Sequence, residues 1–164
     1  MATSKFFFDN CAIGPGAIKT IRQITDAHPA SIEVAHLMSH FEACTPDEKW
    51  IPEIADESWV VITSDRGKRC GGAKLPALCL EYHVTHVLLS RAVHRFSSFQ
   101  RITAFTSNLN DLLACCDAPK GSRFHLRRTN SKALANLVQV DVDIPPIKKQ
   151  QKTIEDLDND GQLF

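Results

Sequence analysis

The patterns that this sequence lacks exclude several classes of protein. None of its 6 Cys stands in a C-x-x-C pair, the spacing typical of zinc ribbons and thioredoxin-type redox sites. Its 7 Gly complete neither of the glycine-rich loops that bind nucleotide phosphates. Charge of one sign is not in excess, since 19 Lys and Arg balance 19 Asp and Glu, which argues against a generally cationic nucleic-acid binder. A local basic patch is compatible with this balance.

Membrane segments are missing from the sequence as well. No apolar run is long enough to span a bilayer, and the short run Phe6–Phe8 near the N-terminus is too brief for a signal peptide. We therefore expect a reduced, cytoplasmic setting and no membrane partner.

Length and composition predict one globular domain with a tail. The chain has 164 residues, of which 43% are hydrophobic, enough for a substantial core. Beyond Pro145 and Pro146 the sequence is charged and nearly free of aromatic residues until Phe164. We therefore predict a domain over residues 1–142 and a flexible charged tail over residues 143–164.

Alternating strand and helix patterns predict an α/β fold. An apolar run typical of a buried strand begins the chain at Phe6–Phe8, an amphipathic helix follows it, and a second strand pattern covers 31–37. This order indicates a right-handed parallel unit, and therefore a mainly parallel sheet. Further predicted elements are a helix that Thr45 caps and that breaks near Pro52, a strand over 59–63, a short helix over 75–82, a strand over 84–89, one long helix over 96–116, an edge strand over 123–126, and a segment over 133–142 that is ambiguous between helix and strand.

Two of the predicted strands end in a carboxylate. Asp9 directly follows Phe6–Phe8, and Asp65 closes the run that begins at Trp59. A charge at the end of a buried strand costs free energy unless it is solvated, paired or holding a cation. Because the carboxyl ends of parallel strands meet at one edge of a sheet, we expect Asp9 and Asp65 to lie close together. Asp47 and Glu48 begin the helix that precedes the second strand, and they can join this edge.

A group of carboxylates at one edge of a sheet indicates a cation site. Carboxylates repel one another, so such a group is stable only with a proton or a cation between its members. Oxygen ligands select a hard ion, Mg²⁺ or Mn²⁺, which commonly binds a substrate phosphate as well. The alternative interpretation is structural, because acids in the first turn of a helix, such as Asp47 and Glu48, also complement the helix dipole. Composition and spacing alone leave both interpretations open.

Three segments of the chain carry a family resemblance: FFFDNC at 6–11, TPDEKWIPEI at 45–54 and WVVITSDRG at 59–67. In this order and spacing they resemble the PIN-like nucleases, and in particular the branch related to VapC-type toxin ribonucleases. The resemblance implies a three-layer PIN-like fold and a metal-dependent endoribonuclease that hydrolyses RNA phosphodiester bonds as the toxin of a toxin–antitoxin pair. It places the catalytic and metal-binding acids on Asp9, Asp47 and Asp65, with Glu48 as a substitute or fourth ligand for Mg²⁺ or Mn²⁺.

The substrate side of the predicted site includes one departure from the family pattern. Related chains often carry an acid directly after the first Asp, where this chain has Asn10, which leaves the number of bound metals open. Arg66, Lys68 and Arg69 follow Asp65 directly, and we predict that with Asn10 they bind the substrate, the basic residues contacting RNA phosphates without reading sequence. The expected partners are RNA, a cognate antitoxin protein and a second copy of the chain in a homodimer.

Two other functions are compatible with the sequence. A receiver-type signalling domain also has acids at strand ends, with Asp65 as the phosphate acceptor, but it would need a Lys closing a later strand, where this chain has Ser90 and Arg91. The second alternative is a PIN-like module that binds nucleic acid or protein without catalysis, which Asn10 favours.

Overall fold

The structure is a computed structural model that describes residues 2–65, 75–129 and 135–140. The strands in these ranges are β1 (Ser4–Phe8), β2 (Ile32–His36), β3 (Val60–Thr63), β4 (His86–Leu89), β5 (Arg123–Arg128) and β6 (Ala135–Gln139). The helices are α1 (Pro15–Asp26), α2 (Asp47–Ala55), α3 (Leu75–Glu81), α4 (Arg91–His94), α5 (Ser98–Ser107) and α6 (Leu109–Cys116), and a 3₁₀ turn over Leu37–Ser39 follows β2.

The described strands form a single sheet in the order β2-β1-β3-β4-β5-β6. Neighbouring strands from β2 to β5 pair in parallel, and β6 pairs antiparallel with β5. The predicted α/β fold with a mainly parallel sheet is therefore confirmed. Strand β1 lies between β2 and β3, so the carboxyl ends of β1 and β3 are side by side.

The core has two parts because successive side chains of a strand point to opposite faces of the sheet. Phe6 and Phe8 pack edge to face against Phe105 of α5, with ring centroids 5.6 and 5.0 Å apart. Phe7 points to the other face and stacks on Trp50 of α2 at 5.4 Å. Helices α1, α5 and α6 contribute to the first part and α2 and α3 to the second, which gives three layers. Burial of each aromatic ring contributes about 1.5–3 kcal/mol.

The predicted single helix over 96–116 is wrong, because the chain forms two helices there. Ser97 and Gln100 make a capping box that begins α5, and the helix ends before Asn108. The Asn108 side-chain Nδ2 donates hydrogen bonds of 2.8 Å to the carbonyls of Ala104 and Ala135. A buried amide that satisfies carbonyls on two elements fixes a bend that a continuous apolar stripe does not reveal.

Helix α2 differs from its prediction at both of the expected features. The capping residue is Pro46 rather than Thr45, and no side chain caps the helix. The helix also continues through Pro52 to Ala55 without a break. Pro52 removes one backbone hydrogen bond, to the carbonyl of Glu48, and the burial of Trp50 in the same short helix offsets this loss.

Strand β5 is interior rather than the predicted edge strand. It pairs with β4 on one side and with β6 on the other. Strand β6 also decides the ambiguous segment 133–142 in favour of a strand for its described part. The antiparallel pairing of β6 with β5 gives β5 its interior position, and the pattern of residues within β5 does not reveal this partner.

Several predictions fall on residues that the structure does not describe. The predicted tail over 143–164 lies outside the described residues, so the domain boundary at 142 stays a prediction. Over the ranges that are described, no helix combines the length and the apolar character needed to cross a membrane.

Candidate active site

Asp9 lies where β1 leaves the core. Its backbone N–H donates to the carbonyl of Ile62 at 3.0 Å, so the pairing of β1 with β3 continues through this residue. Asp9 is only 6% exposed, so its carboxylate is largely shielded from solvent. Burial raises the pKa of Asp9 above its ordinary value, the hydrogen bond from Thr63 opposes the rise, and the charge of Asp65 adds to it.

Thr63, the last residue of β3, connects the first acid to the third. Its Oγ1 donates a 2.9 Å hydrogen bond to Asp9 Oδ2, and the same oxygen accepts a 2.9 Å hydrogen bond from the backbone N–H of Asp65. Thr63 is fully buried, so water does not compete for either bond. Sequence analysis missed this residue; the signal that could have found it is a hydroxyl two residues before the acid that follows a buried strand.

A second set of hydrogen bonds holds the loop after β1 against the end of β3. Ser64 Oγ donates to the carbonyl of Cys11 at 2.5 Å, and the backbone N–H of Ala12 donates to the carbonyl of Asp9 at 3.0 Å. The two strand ends that carry acids are therefore fixed relative to each other by side-chain and backbone contacts, beyond the sheet pairing itself.

Asp47 is the first residue of α2, and its carboxylate is anchored to the core. Trp50 Nε1 donates a 2.9 Å hydrogen bond to Asp47 Oδ1, and the Trp50 ring is fully buried against Phe7. Burial raises the pKa of Asp47 to about 6; the Trp50 hydrogen bond lowers it, and the charges of Asp9, Asp65 and Glu48 raise it. Asp9 and Asp65, two acids from distant segments, thus both raise the pKa of Asp47.

The four predicted acids are near enough to interact but differ in exposure. Asp9 is buried, Asp47 and Asp65 are half-buried and Glu48 is exposed. Among the described residues, no three Asp, Glu, His or Cys side chains lie close enough together to hold one metal ion. An ion shared by three of these acids would therefore require their side chains to move closer than this structure places them.

The chemistry of the donor set nevertheless fits a hard divalent cation. Carboxylate oxygens are the ligands that Mg²⁺ and Mn²⁺ prefer. Burial is the largest cause of the raised pKa values of Asp9 and Asp47, and repulsion from the neighbouring acids adds to the rise. A proton or a cation would relieve this repulsion.

The predicted substrate residues are only partly within the described structure. Asn10 Nδ2 donates a 3.2 Å hydrogen bond to the carbonyl of Ala43, and Asn10 therefore joins the end of β1 to the loop that leads into α2. Arg66, Lys68 and Arg69 lie outside the described residues. The substrate-binding roles assigned to these residues stay predictions.

Comparison with known proteins bears on this site directly. The sequence profile described as PIN like domain matches residues 4–80. The match supports a PIN-like domain. It covers just under half of the chain, and it spans all four predicted acids together with Thr63. No curated protein and no solved structure gave a significant match.

The PIN-like match and the described fold agree. The matched segment contains β1, β2 and β3 with α1 and α2, the elements that carry Asp9, Asp47 and Asp65. The six-stranded, mostly parallel sheet is consistent with a PIN-like fold. PIN-like domains are often nucleases, so the match makes a nuclease a function to test.

Proposed function

We propose that the protein is a metal-dependent endoribonuclease that hydrolyses phosphodiester bonds in RNA. The observation that carries this proposal is the buried Thr63 hydroxyl, which bonds the Asp9 carboxylate and the backbone of Asp65 at one edge of a PIN-like sheet. Asp47 lies near the same edge, and the charges of Asp9 and Asp65 both raise its pKa. Acids with raised pKa values at the carboxyl edge of a parallel sheet support a catalytic rather than a purely structural role.

In this proposal Asp9, Asp47 and Asp65 hold Mg²⁺ or Mn²⁺, with Glu48 as a further ligand. When bound there, a divalent ion would supply positive charge to the scissile phosphate and would lower the pKa of a water molecule. Carboxylate and phosphate oxygens suit both Mg²⁺ and Mn²⁺ as ligands.

The chain's own residues prepare these carboxylates for the ion. Thr63 restrains rotation of the Asp9 carboxylate by donating to Oδ2, and the backbone N–H groups of Asn10 and Cys11 also bond to this carboxylate. Trp50 occupies Asp47 Oδ1 in the same way. Asp9 and Asp47 are therefore each oriented by a buried partner before any ion binds, which lowers the cost of assembling the site.

We further propose that the enzyme is the toxin of a toxin–antitoxin pair, blocked by a cognate antitoxin that inserts an Arg or Lys among the acids. Support for this part is the resemblance of three sequence segments to the VapC-type branch, including the acids at 9, 47 and 65. Its test is growth of a bacterial host: expression of the wild type should arrest growth, and expression of Asp9→Asn should not.

The test of the enzyme is RNA cleavage by the purified chain with Mg²⁺ or Mn²⁺ and with excess EDTA. We expect cleavage with either ion, none with EDTA, and a loss of at least 100-fold in Asp9→Asn and Asp65→Asn. Glu53→Gln, an exposed acid of α2 outside the site, is the matched control and should cleave normally. Full activity in Asp9→Asn or Asp65→Asn with a normal melting curve would refute the assignment.

A second candidate is a PIN-like module that binds RNA or a protein without catalysis. Two observations favour it: Asn10 stands where an acid is expected, and no described set of three side chains is assembled around one ion. Titration with Mn²⁺ followed by RNA cleavage and RNA binding distinguishes the two candidates, because binding without cleavage at every Mn²⁺ concentration favours the module.

A further inference from the structure

Charge is unevenly distributed in the part of the chain from 82 to 129. The acidic residues there are Asp111, in the first turn of α6, and Asp117, which follows that helix. The segment after Asp117 lies at the amino edge of the sheet, because the carbonyl of Pro119 accepts a hydrogen bond from Thr85, just before β4. Arginines dominate the opposite, carboxyl edge, where Ser90 bonds to Leu126 at the ends of β4 and β5.

One surface at that edge combines basic and aromatic side chains. We name it the α4–β5 surface and define it by Arg91 and Arg95 of α4, Phe99 of α5 and Arg128 of β5. Arg91, Arg95 and Arg128 are all exposed. Within the described residues, the ion pairs join Lys5 to Glu33 and Glu57, and none involves these arginines.

Phe99 is the most exposed large hydrophobic residue of the described chain, at 76%. It follows Phe96 by three residues, and the two differ sharply in environment. Phe96 is buried beneath the Arg128 guanidinium, whose Cζ lies 5.9 Å from the ring centroid, and this contact holds Arg128 beside the start of α5. Burial in the core explains an aromatic residue at Phe96, whereas the ring of Phe99 is exposed to solvent and has no packing role.

The α4–β5 surface lies at the same, carboxyl edge of the sheet as Asp9. Arg101 of α5 donates from Nη1 to the carbonyl of Ala12 at 2.8 Å, and Ala12 is itself bonded to the Asp9 carbonyl. The start of α5 therefore lies against the loop that follows Asp9. Strand spacing of about 4.8 Å also puts the end of β5 roughly 10 Å from the end of β3, which precedes Asp65. That separation matches one or two nucleotides of an extended strand.

We propose that the α4–β5 surface binds single-stranded RNA beside the carboxylates, with arginines on backbone phosphates and a base stacked on Phe99. Guanidinium groups match the geometry of phosphate, and an exposed aromatic face stacks on any unpaired base. Duplex RNA would not offer an unstacked base, and an acidic protein segment would leave Phe99 without a matching group. The role of this surface as a substrate track rests on the proposed nuclease function.

The stacking part is tested by binding of a labelled oligouridine in excess EDTA, so that cleavage cannot interfere. We expect Phe99→Leu to weaken binding about tenfold and Phe99→Tyr to bind as the wild type does, because only the latter keeps a ring. Tyr82→Leu, a change of an exposed ring at the end of α3, is the control and should have no effect. Equal binding by Phe99→Leu and Phe99→Tyr would overturn the stacking role.

The phosphate part is tested by the salt dependence of the same binding. Each phosphate contact to a single strand contributes about 0.7 to the slope of log affinity against log salt. The triple change Arg91→Gln, Arg95→Gln and Arg128→Gln should therefore reduce the slope by about 2, whereas Phe99→Leu should leave it unchanged. Lys120→Gln, at the amino edge, is the charge control. If Lys120→Gln reduces the salt slope as much as the triple variant does, the proposal is overturned.

The outcomes separate this proposal from the nuclease assignment. If the variants show the predicted binding defects but the wild type does not cleave RNA, the RNA-binding role of the α4–β5 surface is supported and the nuclease assignment is refuted. If the wild type cleaves RNA but the triple variant and Phe99→Leu bind it normally, the nuclease assignment is supported and the RNA-binding role of the α4–β5 surface is refuted. Stronger binding of a polyglutamate peptide than of oligouridine, insensitive to Phe99→Leu, would identify a protein-docking surface and overturn the proposal.

Discussion

Thr63 Oγ1 donates a 2.9 Å hydrogen bond to Asp9 Oδ2 and so connects two neighbouring strands at the point where both leave the core. The same oxygen accepts from the backbone N–H of Asp65. One buried hydroxyl thereby orients the first carboxylate and positions the backbone of the second. Thr63 is a positioning residue in this account, because it acts on the site through the two acids.

Thr63→Val keeps the shape of the side chain and removes the hydroxyl. We predict a loss of about 1–3 kcal/mol in the free energy of unfolding, because the buried Asp9 carboxylate loses a donor and the Asp65 N–H loses its acceptor. RNA cleavage should decrease at least tenfold, and the pKa of Asp9 should rise further, since the Thr63 bond lowers it in the wild type. Urea unfolding, cleavage assays and NMR titration of the Asp9 carboxyl measure the three effects.

Thr63→Ser is the matched control for that substitution, because it restores the hydroxyl. It should recover most of the cleavage and return the pKa of Asp9 toward that of the wild type. If Thr63→Val unfolds more easily but leaves the Asp9 titration and the cleavage rate unchanged, Thr63 has only a structural role.

The pH dependence of stability is predicted from Asp47. Its pKa is about 6 in the folded protein against an ordinary value of 3.8, so between these pH values the folded state binds more protons than the unfolded chain. Without metal, stability should therefore be fully present near pH 4 and decrease as the pH rises through 6. Asp9 acts in the same direction because its pKa is also raised.

Asp47→Asn should flatten this pH profile. The Asn oxygen can still accept from Trp50, so the variant should gain roughly 1 kcal/mol at pH 7, a value discounted because solvent reaches Asp47. Urea unfolding in EDTA at pH 4 to 7 measures the profile, with Glu53→Gln as the exposed control. A profile for Asp47→Asn as steep as that of the wild type would contradict the prediction.

Divalent ions should stabilise the wild type and not its site variants. Binding to the folded state alone adds about 2.7 kcal/mol when the free ion is at 100 times its dissociation constant. We predict a rise in melting temperature with Mg²⁺ or Mn²⁺ that is lost in Asp9→Asn and Asp65→Asn. In EDTA, these variants should melt no lower than the wild type, because a repelling charge has been removed. An equal rise in all three proteins would place the ion elsewhere.

Asn108 gives a prediction about the fold that is independent of function. Asn108→Ala should destabilise the protein by about 1–3 kcal/mol, because the buried carbonyls of Ala104 and Ala135 lose a donor. Hydrogen exchange should accelerate in β6, which this side chain fastens to α5. Asn110→Ala, an exposed neighbour on α6, should change neither quantity, and slow exchange in β6 of Asn108→Ala would contradict this reading.

The sequence predicted those parts of the site where a residue type is unexpected in its local pattern, such as a charged residue directly after a buried strand. Asp9 after Phe6–Phe8 was recognisable because burial does not call for a charge there. Thr63 was not, because a threonine in a β-branched run looks like any strand residue. The role of Thr63 depends on its contact with Asp9, which the pairing of β1 with β3 creates. The sequences of the two strands do not show on which side of β1 the strand β3 lies.

The fold shows the same division between local and long-range information. Periodic apolar residues predicted α1 because helical contacts are local. The interior position of β5 was missed because it depends on β6, whose segment was ambiguous between helix and strand. Asn108 was missed because Leu109 and Leu112 continue the apolar stripe of the preceding helix across the bend.

The central claim is that Asp9, Asp47 and Asp65 together bind one divalent ion, and anomalous diffraction from a crystal soaked in Mn²⁺ tests it most directly. The account predicts a peak between the Asp9 and Asp65 carboxylates, at about 2.0–2.3 Å from their oxygens and within reach of Asp47. The same soak of Asp9→Asn should lose the peak. No peak at this edge of the sheet at saturating Mn²⁺, or a peak bound elsewhere and unaffected by Asp9→Asn, would contradict the account.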